Sequence, residues 1–189
     1  MKDIFIDELV KKVGEKRAYH SIGVMKTAIK LARIYDCDIE KARIAGILHD
    51  CAKYRDKSYL LKRANDFGII LDNIMLENTE LIHGPLGAMV AKFEFGIRDD
   101  EILDAICYHT TGRKNMTTLD KIIYIADYIE PNRDFPGVDE ARELAYKDLN
   151  KSLKFAMENT IIFLLRQGKL VHLDTIEARN YLVLLEKSE

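Results

Sequence analysis

The chain has only three cysteines, Cys37, Cys51 and Cys107, with no CxxC spacing among them. That speaks against a disulfide framework and a thiolate zinc site, and three isolated, reduced and mostly buried thiols are expected. Charge of one sign is missing too: 29 Lys and Arg stand against 31 Asp and Glu, a formal net charge of −2. No global positive field recruits nucleic acid or an anionic membrane, so any phosphate chemistry must be local. Long hydrophobic runs are also absent. The stretches IIFLL at 161–165 and YLVLLE at 181–186 fall far short of the ~18 residues that a membrane span needs. The N-terminal MKDIFIDELVKK alternates charged with apolar residues, unlike a secretory leader. A cytoplasmic protein without nucleic-acid or membrane partners is expected.

Runs of alternating β-branched residues are lacking as well, while helical periodicity fills almost every segment. The expectation is an all-α fold, one domain over residues 1–189, built from eight to ten helices. From Arg17 to Tyr35, apolar Ile22, Met25, Ile29, Ala32 and Ile34 recur at mostly three- and four-residue steps, which gives a helix with one apolar stripe. Asp38 suits the cap of the next helix, and Ser58 to Phe67 forms another, stopped by Gly68. A helix from Pro85 to Phe95 follows His83-Gly84, and Asp99 or Asp100 starts the one that ends at Tyr108-His109. Thr117 with Asp120 resembles a capping box for TLDKIIYIADYIE, which Pro131 ends. Residues 138–167 read as one long helix or two broken near Asn150, and Asp174 with Glu177 offers a cap for the last.

The stretch IAGILHDCAK, residues 44–53, runs apolar and then sets His49 beside Asp50. A His-Asp pair alone means little, and a single half-buried histidine is ordinarily a hydrogen-bonded core residue. Its company carries the argument. His20 lies within the stripe of the second helix, His83 at a helix start, His109 at the end of ILDAICYH, and Asp127 inside IIYIADYI. A buried, unpaired carboxylate is costly, and a shared cation removes the cost. Four imidazoles and two carboxylates exceed one tetrahedral zinc, and the N/O set suits iron or manganese. Two divalent ions sharing an Asp bridge would use all six. The apolar run thus anchors a helix whose end delivers ligands. His172 lies outside this set and reads as structural, beside the cap of the last helix.

The ordered set His20, His49-Asp50 and Asp127 resembles the HD-domain phosphohydrolases, an all-helical, metal-dependent family. His83 and His109 match the further histidines of its binuclear members. HTTGR at 109–113, LDKIIYIADYIEPNRDFPGVDEAR at 119–142 and TIEARNYL at 175–182 look like the YqeK group of bacterial symmetrical diadenosine tetraphosphatases, and the likeness covers nearly the whole chain. It implies a helical bundle with a binuclear site on His20, His49, Asp50, His83, His109 and Asp127. It further implies cleavage of a dinucleoside polyphosphate at its middle into two ADP by a metal-bridging hydroxide, with iron the expected metal and manganese or another divalent ion the alternative. Asp50 and Lys53 are the expected catalytic residues. Lys53, Arg17, Arg113, Arg133 and the loop Thr110, Thr111 and Gly112 are the expected phosphate contacts. Tyr54, Tyr108 and Phe135 lie near enough to stack a base, though core packing accounts for any one of them. The competing readings are an HD-type nucleotidase or pyrophosphohydrolase for another nucleotide, and a helical module with a closed structural metal. A homodimer is the expected assembly.

Overall fold

A computed structural model describes residues 4–54 and 56–188. Among them it contains eleven α-helices and one 3₁₀ turn, with no strand. In chain order these are α1 (Ile4–Val13), α2 (Glu15–Ile34), α3 (Ile39–Leu48), α4 (Lys57–Asp66), α5 (Asn73–Glu77), the 3₁₀ turn Thr79–Ile82 and α6 (His83–Glu94). Then follow α7 (Asp100–Tyr108), α8 (Thr118–Ile129), α9 (Val138–Ala145), α10 (Leu149–Arg166) and α11 (Leu173–Glu186). The total exceeds the eight to ten expected, with α5 a helix of only five residues. Among the described residues no helix is long and apolar enough to cross a membrane.

Aspartate side chains open many of these helices by accepting orphan N–H groups of the first turn. Asp38, Asp56, Asp99 and Asp148 cap α3, α4, α7 and α10 in this way. The Thr117–Asp120 capping box of α8 is present in both directions. Three boundaries differ from expectation. Helix α6 begins at His83 rather than Pro85, because the 3₁₀ turn runs directly into it and no cap residue intervenes. The 138–167 stretch breaks at residues 146–148, where Asp148 restarts the chain as a cap. The cap of α11 is His172 itself, not Asp174: its Nδ1 accepts the Asp174 N–H at 3.2 Å, while its Nε2 lies 2.9 Å from Asp72 Oδ2. Asp72 already caps α5, so a tertiary partner fixes the ring and moves the helix start.

Helix α8 runs through the core, with Leu119, Ile122, Ile123 and Ile125 fully shielded. It packs on α2, α3, α7 and α10. Helices α2 and α3 cross closely at Gly46, where a Cβ would stand 2.9 Å from the Met25 Cα. That approach brings the middle of α2 beside the end of α3. Ile47 and Leu48, at zero exposure, anchor that end, as the apolar run before His49 requires. Cys51 is buried, Cys37 and Cys107 are half-buried, and all three are free.

Candidate metal centre

Three of the candidate ligands stand where a short helix ends. The last carbonyls of a helix have no partner within it, and a histidine just beyond can satisfy one with its Nδ1–H. His49 does so to Gly46 at 2.8 Å and His109 to Ile106 at 2.7 Å. His83, after the 3₁₀ turn, makes the same bond to Glu80. Each bond spans three residues and each aims Nε2 away from its own helix. The fourth, His20 on α2, directs Nδ1 at the Glu130 carboxylate, 3.2 Å away. Carbonyls and carboxylates only accept, so all four rings carry their proton on Nδ1 when neutral and present a bare Nε2 lone pair.

Those lone pairs converge on two carboxylates. Asp50 Oδ1 lies 3.1 Å from His83 Nε2 and 3.7 Å from His109 Nε2. Its Oδ2 lies 3.4 Å from His49 Nε2 and 3.7 Å from His20 Nε2. One carboxylate therefore faces two pairs of imidazoles, one pair per oxygen. Asp127 Oδ1 reaches His20 Nε2 at 3.0 Å and His49 Nε2 at 3.8 Å. The site is well shielded: Asp50 is 3% exposed and His49 fully buried.

This donor set fits a divalent cation. The Nε2 atoms of His20 and His49 are buried without a hydrogen-bond partner. Those of His83 and His109 sit 3.0 Å apart, where two lone pairs repel unless a cation lies between or beside them. Donor atoms of His20, His49 and Asp50, of His49, His109 and Asp127, and of Asp50, His83 and His109 each fall within 4.8 Å of one another. Hydrogen bonds from Nδ1 to carbonyls and carboxylates are the supports that orient metal-binding imidazoles. Electrostatics agree. Burial opposes ionisation of Asp50 and Asp127, yet their neighbours hold both well below the usual carboxylate range. The lowering requires positive charge or N–H donors beside them, supplied by His49 first for Asp50 and by His20, His49 and Arg133 for Asp127 when the rings are protonated, a charge that a bound cation would supply in their place. Burial pushes His83 below its ordinary value against the pull of Asp50, which keeps the ring neutral.

The centre opens at His20 into a cleft of about 610 Å³, whose walls include Lys16, Arg17, Tyr19, Lys53, Tyr54, Glu80, Asn132 and Arg133. Arg17 bonds Asp50 Oδ2 at 2.8 Å, Arg133 bonds Asp127 Oδ1 at 2.5 Å, and Lys53 pairs with Glu80 at 2.8 Å, beside the His83 ring. Thr110 is also local, its hydroxyl 3.2 Å from His109 Nε2. The other expected phosphate contacts lie elsewhere. Arg113 is locked between Asp104 and Asp120, both at under 3 Å, and rests 4.6 Å over the Tyr108 ring. Thr111 is buried and bonds the Gly112 carbonyl, and a Cβ on Gly112 would meet Met157 Cε at 2.5 Å. Gly112 sets the turn against α10 and α11, at Met157 and Ala178, while Arg113 ties it to α7 and α8 through Asp104 and Asp120. Nothing in the string HTTGR separates Thr110 from its neighbours.

Glu130 is the functional residue that sequence reasoning passed over. It is 2% exposed, holds His20 with one oxygen and takes two hydrogen bonds from Asn132 on the other, both 2.9 Å. Gly23 makes room for it: a Cβ there would lie 2.7 Å from Glu130 Oε2. A signal existed, since Glu130 stands three residues beyond Asp127 and so near it on one helix face. Arg142 was passed over too. From α9 it donates to the carbonyls of Ile129, Glu130 and Arg133, tying down the end of α8 and the loop that carries Arg133.

A helical bundle that gathers four histidines and two aspartates from helix ends and helix interiors defines a metal-dependent His/Asp protein with a cationic cleft. The model of the HD domain family matches residues 17–132, and the chain belongs to that family. It is 47% identical over 176 residues to the symmetrical bis(5'-nucleosyl)-tetraphosphatase of Bacillus subtilis, covering 92% of each chain. To the protein of the same name from Halalkalibacterium halodurans it is 45% identical, over 95% of this chain and 96% of the relative. A crystal structure from Clostridium acetobutylicum, described as a predicted HD superfamily hydrolase involved in NAD metabolism, superposes with a TM-score of 0.92 at 50% identity over 97% of both chains.

Proposed function

We propose that this protein is a metal-dependent phosphohydrolase that cleaves diadenosine tetraphosphate symmetrically into two ADP. The observation that carries the reading is the convergence of four bare imidazole nitrogens on a doubly shared carboxylate at the floor of a cationic cleft. Its substrate class is supported by the names and extensive similarity of the relatives. The binding site is proposed to take two divalent ions, with iron the metal. Support comes from the two imidazole pairs on the two oxygens of Asp50 and from an all-N/O donor set. When bound, such ions supply Lewis acidity that makes water a nucleophile near neutral pH.

The rest of the work falls to the chain's own residues. Asp50 and Asp127, held ionised, give the centre the negative charge that a pair of divalent ions needs. The imidazoles are held by their Nδ1 bonds, so little reorganisation accompanies the reaction. Lys16, Arg17 and Lys53 line the route of the phosphate chain and neutralise it. Arg133 stands closest to Asp127 and meets the charge that builds on the departing ADP. A departing diphosphate is a weak base, so these cations suffice and no proton donor is needed.

The cytoplasm is the proposed location, supported by three free thiols. A homodimer is proposed as well, supported by the apolar surface of Phe163, Leu165, Leu170 and Leu173 around the α10–α11 turn, each more than half exposed. The deciding experiment incubates the protein, loaded anaerobically with ferrous iron, with diadenosine tetraphosphate and separates the products. Two ADP per substrate are expected. ATP plus AMP would shift the scissile bond by one phosphate, and an intact substrate beside turnover of another nucleotide would replace the proposed one.

A further inference from the structure

A second cavity, of about 250 Å³, reaches the ligand cluster from a different flank. The main cleft meets the cluster at His20, whereas this one meets it at His109 and Asp127. Arg133 lines both. Their chemistry differs sharply. The main cleft carries Lys16, Arg17 and Lys53 besides Arg133; the second has Arg133 as its one cation and is walled by Tyr124, Tyr128, Phe135 and Thr160. Its volume lies below the ~300–1,000 Å³ of sites that enclose a whole drug-sized ligand, which suits a fragment the size of a base.

Phosphates need cations, whereas a nucleobase needs ring faces and a few hydrogen-bonding groups. The second cavity offers the latter. Tyr128 and Phe135 meet edge to face, with centroids 4.9 Å apart and planes at 77°, and both rings line the cavity. The polar atoms of its wall are already oriented: the Thr160 hydroxyl donates to the Ala156 carbonyl at 2.9 Å and pairs with Tyr124, and the Thr110 hydroxyl stands 3.2 Å from His109 Nε2. The loop carrying Phe135 is not slack, because Arg142 holds its beginning through the Arg133 carbonyl at 2.7 Å.

Symmetry of the substrate adds a requirement. A chain cut at its central anhydride extends from the central bridging oxygen in two directions by equal lengths, so each half needs its own path away from the reacting centre. We propose that the aromatic cavity is a purine subsite for one half of the dinucleotide, while the cationic cleft takes the other half and most of the phosphate charge, with Arg133 at the crossing. This rests on the dinucleotide substrate proposed above.

The test uses adenosine, which has no phosphate, and measures its binding to the metal-loaded protein by calorimetry alongside the KM for diadenosine tetraphosphate. Phe135→Ala removes a ring and enlarges the cavity; Thr160→Leu fills it. Both are expected to weaken adenosine roughly tenfold and to raise KM similarly, while Phe135→Trp retains binding and Lys16→Ala leaves adenosine unaffected. Adenosine binding that ignores both changes, or no binding by the wild type, overturns the subsite even where the wild type makes ADP. Phe135-dependent adenosine binding by a wild type that leaves diadenosine tetraphosphate intact keeps the subsite and removes the proposed substrate instead.

Discussion

Asp120 and Asp127 stand seven residues apart on α8, nearly two turns and so close to one face of the helix. Each is gripped by an arginine from a loop, Arg113 for the first and Arg133 for the second. Around Asp120 the remaining donor is the Thr117 N–H, and Arg113 itself is shared with Asp104. Burial outweighs them and raises its pKa above the ordinary 3.8. Around Asp127 stand the imidazoles of His20 and His49, and its pKa falls. Asp120 leaves one oxygen unpartnered, but among the described residues it joins no group of candidate metal donors, and it lines neither the cationic cleft nor the aromatic cavity. A buried carboxylate with an arginine is thus no mark of function. What marks the second site is several lone pairs aimed at one point beside a cleft.

The sharpest way to break the comparison is to make the same change at both aspartates. Asp127→Ala is expected to lose bound metal and cut hydrolysis by on the order of a thousandfold while remaining folded. Asp120→Ala is expected to cost about 3 kcal/mol of stability, because it leaves Arg113 half-paired in a largely buried place. Activity per folded molecule should stay within about threefold. Urea denaturation, metal content and turnover measured together would tell; a folded Asp120→Ala protein devoid of metal would erase the distinction.

A subtler change leaves every ligand in place. Gly23→Ala should drive the Glu130 carboxylate off His20 and weaken metal binding roughly 10–100-fold, as loss of an orienting partner does. Glu130→Gln retains an acceptor and should recover most of the affinity. Competition against a chelator reads this directly, and unchanged affinity in Gly23→Ala would show that Glu130 does not orient the ring. Arg142→Ala removes the tether between the end of α8 and the Arg133 loop while leaving every candidate ligand and the Glu130 side chain in place. A KM increase of about fivefold with metal affinity unchanged is expected, since only the substrate contact loosens; a loss of metal would instead place Arg142 in support of the ligands.

The smallest effect is on pH dependence. Asp50 and Asp127 have folded pKa values below 3.8, so their stabilising contribution is present above that value and fades as pH falls through the folded ones. Asp120 has the opposite sign: its contribution is full below 3.8 and is lost as pH rises through its raised value. In chelator-treated protein, Asp127→Asn should therefore flatten the fall in melting temperature below about pH 4, and Asp120→Asn should flatten a decline that sets in above it. Equal slopes in the two variants would mean that the aspartates share one environment.

Much of this was legible beforehand. The all-helical class follows from apolar spacing, and the caps of α3, α7 and α8 follow from residues that can accept a first-turn N–H within their own segment. The six candidate ligands stand out because His and Asp fall at the ends or in the interiors of apolar helices, where a lone polar group is costly. Arg113, Thr111 and Gly112 were placed in the substrate's path because sequence proximity to His109 cannot reveal which way a turn faces. His172 took the cap of α11 because Asp72, a hundred residues earlier, holds its ring.

The sequence by itself determined what is local: helix periodicity, aspartate caps, and a histidine beyond a helix end with a carbonyl three residues back to orient it. Only the tertiary structure decided what is shared. It set two imidazole pairs on the two oxygens of Asp50, hid Glu130 against Gly23, and gave Arg113 and Arg133 opposite fates. The physical reason is that hydrogen bonds within a turn depend on neighbours in the chain, whereas converging lone pairs and cavity walls depend on how whole helices pack.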